Sequence, residues 1–208
     1  MNNKPKYNPQ IHHRRSIRLK GYDYSQAGLY FITICCQDRK CRFGKIENGE
    51  MILNELGTIA YNKWIKLVER FTSFELDVFQ IMPNHMHGII LLNDVAGADT
   101  LAQLGQPQGL APTDAVAENG SITDCDDIWT GASPVPTNAT IGEIIGAYKS
   151  LVFNGCLKIY KSKNDMMGKL WQRNYYEHII RNIKSYENIS NYIINNPAKW
   201  AEDKFYNK

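Results

Sequence analysis

Hydrophobic residues along the chain follow two different periods, and these periods predict the order of the elements. Leu29 to Cys36 is a continuous apolar and β-branched run, which is typical of a buried central strand. Phe74 to Met82 and His85 to Leu92 alternate more regularly and are separated by a Pro-Asn turn. This pair predicts an antiparallel hairpin at the centre of a sheet.

Helical spacing of apolar residues appears in three further segments. The first begins after Asn54, a suitable N-cap, and extends to about Arg70. The second begins at Ile141, behind Thr140 as its cap. For the last helix we expect Ser185 as the cap and an end near Trp200.

Two shorter patterns complete the predicted order. An Asn-Gly pair at 48–49 favours a hairpin around Arg42 to Met51, and the aromatic and β-branched segment Leu170 to Ile180 predicts another strand. The main elements then follow the order β-α-β-β-α-β-α. This order predicts an α+β fold with a central antiparallel or mixed sheet flanked by helices.

The distribution of charge divides the chain more sharply than its net charge of +3 suggests. Segment 93–140 has no Lys or Arg but seven Asp and Glu, and its apolar periodicity fails. We expect residues 94–140 to be an acidic flexible insertion, residues 1–25 to be a basic arm, and the 208 residues to form a single domain. Without the insertion the charge is about +10, which suits a polyanionic partner.

The N-terminal residues have basic charges but no apolar stretch behind them. This pattern predicts neither a secretory signal nor a membrane anchor, and no later run reaches the length needed to span a bilayer. We therefore expect a cytoplasmic protein without a membrane partner.

Two histidines on the predicted strand form the first candidate site. His85 and His87 are two residues apart, so both side chains leave the same face of the strand and can bind one divalent metal ion. The motif is short, and paired histidines without a ligand role are a real alternative.

The last helix supplies two further candidates, Tyr192 and Asn196. At about 100° per residue, Asn196 shares the apolar stripe of Ile189 and Ile193, and Tyr192 lies one turn earlier. An amide that faces the core needs a partner, which a metal or a hydrogen-bond network would supply. Tyr192 is one of 12 tyrosines, so its candidacy depends on the combination with the histidines.

Two stretches of the chain, PNHMHGIILL and LWQRNYYEHIIRNIKSYENISNYIINNPAKW, resemble the diagnostic segments of the REP-associated tyrosine transposases. These enzymes are members of the single-tyrosine HUH superfamily. The opening RRSIRLKGYDYSQAGLYFITICCQDRKCRFG is also similar to their first strand region. The resemblance covers most of the chain except the insertion, and it implies a ferredoxin-like α/β sandwich.

The resemblance also implies a chemistry for the candidate residues. His85, His87 and Asn196 would bind magnesium or manganese, and Tyr192 would attack a phosphate of hairpin-containing single-stranded DNA. The product would be a 5′-phosphotyrosine that can be rejoined without a nucleotide cofactor. Relatives act as monomers or as homodimers, so both states are open.

Basic and aromatic side chains outside this constellation are candidates for binding the DNA strand. They are Arg14, Arg15, Lys149, Lys161, Lys163, Trp171, Arg173 and Tyr175. For each one alone, a solvated charge or a packing role is the simpler interpretation. Two other functions fit the same residues: a non-catalytic binder of structured single-stranded nucleic acid, and a metal-dependent hydrolase that uses water instead of tyrosine.

Overall fold

The computed structural model describes residues 23–71, 73–93 and 139–206. Most of the predicted basic arm, with Arg14 and Arg15, and residues 94–138 of the predicted insertion lie outside the described residues. The strands are β1 (Gly28–Cys35), β2 (Gly44–Glu47), β3 (Glu50–Leu53), β4 (Phe74–Ile81), β5 (His85–Leu92) and β6 (Tyr176–Ile180). The helices are α1 (Glu55–Ile65), α2 (Ile141–Ser162) and α3 (Ile183–Asn195).

A four-stranded antiparallel sheet in the order β4-β5-β1-β6 forms the centre of the fold. Together with α1 and α2, these strands follow the β-α-β-β-α-β order of ferredoxin-like folds. The predicted α+β class is therefore confirmed. The hairpin predicted around Arg42 to Met51 is formed by β2 and β3. At its turn Asn48 and Gly49 both adopt positive φ angles, 52° and 81°.

The two faces of the sheet bury different helices, because successive side chains of a strand point to opposite sides. From β5, Met86 and Ile90 pack in the larger core with residues of α1 and α2. Ile89 and Leu91 pack on the other face with Ile193 of α3. His85 and His87 share this second face by the same alternation, so they lie under α3.

The helix ends differ from the predictions in three places. Helix α1 ends at Ile65 and continues as a short 3-10 turn over Lys66–Glu69 rather than as an α-helix to Arg70. Helix α3 is capped by Asn182, whose side chain accepts the Ser185 N–H, so Ser185 is not the cap. Helix α3 also ends at Asn195, because Pro197 lacks the N–H that a continuing helix requires.

The predicted strand from Leu170 to Ile180 is wrong in its first half, since β6 begins only at Tyr176. Only an isolated bridge between Cys36 and Trp171 precedes it. The carbonyl groups of residues 172–174 accept hydrogen bonds from the Lys149 ammonium, at 2.9 to 3.3 Å. These carbonyls are therefore turned toward α2 instead of joining the sheet.

The longest helix in the described part of the chain is α2, with 22 residues. Within the described ranges, no helix combines the length and the apolar character that crossing a membrane requires.

Candidate metal and tyrosine site

The structure brings His85, His87, Tyr192 and Asn196 together beneath α3. The Nε2 atoms of the two histidines are 2.9 Å apart, and the Tyr192 hydroxyl lies 3.2 Å from Nε2 of His87. Both imidazoles are fully buried and Asn196 is 3% exposed, whereas Tyr192 is 40% exposed. One chain therefore supplies a buried polar cluster with a phenol at its solvent edge.

Two buried polar side chains orient the imidazoles. The Asn84 amide N–H donates to the carbonyls of Arg39 and Phe205, at 3.1 and 2.8 Å. Its oxygen therefore accepts from Nδ1 of His85 at 2.8 Å, which leaves the lone pair of the neutral imidazole on Nε2. Nδ1 of His87 lies 2.8 Å from Oγ1 of Thr33. Such outer contacts are the ones that fix the ring orientation of metal-binding histidines.

Asp203 is a fifth member of the cluster, and it was not predicted from the sequence. Its Oδ2 accepts hydrogen bonds from the Tyr192 hydroxyl at 2.9 Å and from the Asn196 amide at 2.8 Å. Its Oδ1 accepts the Phe205 N–H at 2.6 Å, which holds the carboxylate in place. Asp203 follows the last 3-10 turn, beyond every predicted element, so no periodicity in the sequence points to it.

Aromatic rings enclose the histidines. The Phe205 ring lies 4.6 Å from the His85 ring, and the Trp200 ring lies 5.9 Å from it. Phe31 packs 5.4 Å from His87 and meets Tyr192 edge to face at 6.2 Å. The rings screen the histidines from water: Phe205 is buried, Phe31 and Trp200 are partly exposed, and Tyr192 is exposed at the surface.

This burial keeps the histidines neutral. Loss of hydration lowers the pKa of His85 to about 4, although the nearby Asp203 carboxylate opposes the shift. Burial also lowers the pKa of His87 well below its usual value, and the neighbouring His85 adds to the effect. Neutral imidazoles are the form that binds metal ions.

The phenol and the carboxylate shift in opposite directions. Burial raises the pKa of Tyr192, and the hydrogen bond to the negative Asp203 raises it further. Burial opposes ionisation of Asp203 too, but hydrogen bonds from Asn196, the Phe205 N–H and Tyr192 outweigh it and lower the pKa of Asp203. The resting site therefore holds a neutral phenol against an ionised carboxylate.

The donor set fits a divalent metal ion. Ligand atoms of His85, His87 and Asp203 all lie within 4.8 Å of one another. In addition, the side-chain oxygen of Asn196 is buried and finds no hydrogen-bond partner among the residues that the structure describes. A buried acceptor without a donor is costly, and a cation would satisfy it. Imidazole nitrogens together with carboxylate and amide oxygens are ligands that divalent metal ions accept.

Of the other predicted contact residues, the six that the structure describes are not part of this cluster. Lys163 forms an ion pair with Glu55 at 2.6 Å, and Lys161 is exposed at the end of α2. Lys149 is partly buried and donates to three carbonyls, with the Tyr175 ring 5.9 Å from its nitrogen. Trp171 and Arg173 lie on the segment 171–174, whose carbonyl groups at 172–174 accept these hydrogen bonds from Lys149.

Two cations that the sequence analysis did not single out lie closer to the histidines. The Arg39 guanidinium lies 5.4 Å from the centre of the Phe205 ring, and the Lys204 ammonium lies 4.8 Å from it. Since Phe205 packs against His85 and His87, these positive charges lie near the cluster. Positive charge at such a position attracts anionic ligands.

Comparisons with known proteins agree with this architecture. The chain is 42% identical over 202 residues to an uncharacterized protein of Haemophilus influenzae, and the match covers 97% of each protein. No family model matches the chain. A solved REP-associated tyrosine transposase bound to a REP hairpin superimposes with a TM-score of 0.52 and 18% identity, over 90% of this chain and 76% of that one. The chain therefore belongs to one protein family with the Haemophilus influenzae protein and has the fold of a REP-associated tyrosine transposase.

Proposed function

We propose that this protein is a metal-dependent transposase that nicks and joins single-stranded DNA through a 5′-phosphotyrosine on Tyr192. One observation carries the proposal: the Tyr192 hydroxyl lies 3.2 Å from a buried imidazole and 2.9 Å from an ionised carboxylate. These contacts place the phenol oxygen beside a proton acceptor and beside the histidines that would bind a metal ion. A tyrosine nucleophile needs both a route for its proton and positive charge near its oxygen, and the metal would supply that charge.

His85, His87 and Asn196 would bind the metal, with the Asp203 carboxylate within reach. The bound metal would supply positive charge that polarises a phosphate and stabilises the charge that develops at phosphorus. The Asn84 and Thr33 contacts hold the imidazoles with Nε2 directed into the cluster. All of these residues come from one chain, so a single copy has a complete site.

The tyrosine reaction uses groups that are already in contact. The Tyr192 oxygen attacks phosphorus, and its proton passes to Oδ2 of Asp203, which accepts its hydrogen bond. An O–P bond to Tyr192 forms, the bond from phosphorus to the 3′-oxygen breaks, and that oxygen takes a proton from water to leave as a 3′-hydroxyl. Attack by a second 3′-hydroxyl reverses these steps and rejoins the strand without a nucleotide cofactor.

The substrate is proposed from the shape of the site and from the solved relative. Tyr192 is exposed at the edge of α3, where a flexible single strand can bring a phosphate to the hydroxyl. The transposase of similar fold is bound to a REP hairpin. We therefore infer a hairpin-containing single-stranded DNA as the substrate class, bound to a monomer or a homodimer.

Covalent adduct formation tests the proposal. The purified protein is incubated with manganese and 5′- and 3′-labelled hairpin oligonucleotides that have single-stranded flanks, and is then denatured. We expect a labelled protein band that EDTA and Tyr192→Phe both abolish. Tyr206→Phe is the matched control, since Tyr206 is also exposed, at 37%, and packs on Trp200.

The same experiment separates the two alternatives. Cleavage that needs manganese but never labels the protein, and that survives Tyr192→Phe, would identify a hydrolase that uses water. Hairpin binding without cleavage or adduct, unaffected by EDTA, would identify a non-catalytic binder. Either result would overturn the proposed nucleophile.

A further inference from the structure

An open surface cavity of about 300 Å³ lies between α2 and the segment 169–173. We propose that it binds one unpaired nucleotide of the DNA substrate, with the base inside the cavity and the phosphate at its rim. This inference rests on the proposed function, because it assigns a second contact to the same DNA strand.

The walls suit a flat heterocycle. They are formed largely by the apolar side chains of Phe153, Leu170 and Trp171. The Trp171 indole is fixed, because its N–H donates to the Lys149 carbonyl at 3.1 Å and its ring packs 5.2 Å from Phe43. A rigid aromatic wall of this kind stacks on any nucleobase, since every base has a π-face.

The rim has the charge that a nucleotide requires. Lys169 and Arg173 are both exposed at the edge of the cavity, and its lining includes no acidic side chain. The Lys149 ammonium shapes the wall by donating to the carbonyls of residues 172–174. An apolar cavity with two exposed cations is complementary to a base attached to a phosphate, more than to an acidic or wholly apolar ligand.

The cavity is joined to the end of the sheet that holds the histidines. The Gln172 N–H donates to the Cys35 carbonyl at 2.9 Å, and Cys35 is paired with His85 in the sheet. Trp171 itself bridges to Cys36. Because α2 and α3 pack on opposite faces of the sheet, a DNA strand that places one phosphate at Tyr192 would pass around this end of the sheet to place another nucleotide in the cavity.

Filling the cavity tests this assignment. Ser150 is exposed on α2 and lines the cavity, so Ser150→Trp occupies it without removing a core side chain. Ser162→Trp is the matched control, because Ser162 is exposed on the same helix, 12 residues and about 18 Å farther along its axis. Both variants are made in the Tyr192→Phe background, and binding to a labelled hairpin is measured by fluorescence anisotropy in EDTA.

We expect Ser150→Trp to weaken binding about tenfold, which is the scale of one lost stacking contact, and Ser162→Trp to leave it unchanged. The DNA is then scanned with single abasic positions in its flanks. One position should weaken binding to the unfilled protein about tenfold and have no further effect on Ser150→Trp. Additive losses at every position, or unchanged binding by Ser150→Trp, would overturn the proposal and leave the cavity to another ligand.

A second variant protects the test against misfolding. If circular dichroism shows that Ser150→Trp is unfolded, Arg173→Gln replaces it in the same abasic scan, since Arg173 is an exposed rim residue. We expect weaker binding and a shallower dependence on salt, by about one unit of slope. An unchanged slope would count against the phosphate contact. Because these measurements involve no chemistry, they are independent of adduct formation, and the two proposals can fail separately.

Discussion

The Tyr192 hydroxyl donates its hydrogen bond to a carboxylate rather than to water or to a backbone carbonyl. Oδ2 of Asp203 receives this bond and also the amide of Asn196, so one oxygen joins the proposed nucleophile to a proposed ligand. Negative charge beside the phenol raises the pKa of Tyr192, after the larger effect of burial. The resting arrangement therefore keeps the phenol neutral, and the positive charge of a bound metal would lower the pKa of Tyr192 and so favour proton transfer to Asp203.

Asp203→Asn tests the proton transfer. The amide keeps the size of the side chain and can still accept a hydrogen bond, but it cannot take the proton. We expect the rate of adduct formation to fall about 100- to 10,000-fold, with little change in DNA affinity. Single-turnover kinetics across a pH series measures the loss in rate, and it also shows whether the dependence of the rate on ionisation of the Asp203 carboxyl group has disappeared. A variant that reacts at the rate of the wild-type protein would exclude this role for Asp203.

The buried histidines predict how the stability of the metal-free protein depends on pH. Burial lowers the pKa of His85 to about 4 and the pKa of His87 well below 6.5. In the unfolded chain both histidines are hydrated and have the usual pKa of about 6.5. Below about pH 6.5 the unfolded chain therefore binds more protons, and the free energy of unfolding falls as the pH drops toward 4. Urea unfolding in EDTA at pH 7 and pH 5 measures the difference. His87→Gln should reduce it, and equal stability at both pH values would contradict the burial of neutral imidazoles.

Among the site residues, those that follow a regular period could be predicted and the others could not. Two-residue spacing placed His85 and His87 on one face, and helical spacing turned Asn196 toward the sheet, where it is 3% exposed. Thr33 left a signal as a polar residue inside an apolar strand, though its contact with His87 is visible only in the structure. Asp203 lies beyond the last helix, and its position depends on how the chain turns back after Pro197.

At the scale of elements, strand β5 joins the site to the main core. His85 and His87 face α3, while the next residue, Gly88, lies against Trp64 of α1. A β-carbon at Gly88 would come within 2.7 Å of the Trp64 ring and 3.3 Å of the Phe79 β-carbon. The glycine is therefore required for the close approach of the helix to the strand that holds the histidines.

Gly88→Ala tests this packing. The added methyl group must displace the fully buried Trp64 ring, so we expect a loss of about 1 to 3 kcal/mol in the free energy of unfolding. Gly146→Ala is the control, because a β-carbon at Gly146 on α2 meets nothing within 4 Å. In a helix interior that change should stabilise the protein by up to about 1 kcal/mol. Denaturant unfolding measures both, and equal effects would refute the packing argument.

The elements themselves were predicted best where local sequence decides the outcome. Strand β5 begins and ends at the predicted residues, and Thr140 caps α2 with Glu143 in a capping box. The segment 170–175 was predicted wrongly as a strand, because its aromatic residues favour strands locally. Its conformation is set instead by Lys149, more than twenty residues earlier, and by Trp171 packing against Tyr148. Contacts between residues so far apart in the sequence leave no periodic pattern in it.

At the scale of the whole molecule, the site lies between two layers that are far apart in the sequence. Strand β5 supplies the histidines, and the C-terminal helix and turn supply Tyr192, Asn196 and Asp203, more than a hundred residues later. The two layers meet through a small apolar cluster that includes Ile89 and Ile193. A metal bound between these two layers would link β5 to the C-terminal helix and turn.

Metal binding should therefore stabilise the folded protein. At manganese concentrations about 100 times the dissociation constant, mass action adds about 2.7 kcal/mol to the free energy of unfolding. For a chain of 208 residues this raises the melting temperature by about 5 to 10 °C. Differential scanning calorimetry with and without manganese measures the shift. His87→Gln should abolish it, and an equal shift in that variant would place the metal elsewhere.

In the proposed reaction Tyr192, and no other tyrosine, becomes covalently joined to DNA. Tyr176 and Tyr206 are also exposed near Phe205 and Trp200, so they are the tyrosines with which Tyr192 must be compared. The most direct measurement is mass spectrometry of peptides from the manganese-dependent adduct after nuclease digestion. We predict a single modified peptide that has a nucleotide attached through a 5′-phosphate to Tyr192. A nucleotide on Tyr176 or Tyr206, or none on any tyrosine while the DNA is cleaved, would show that Tyr192 is not the nucleophile.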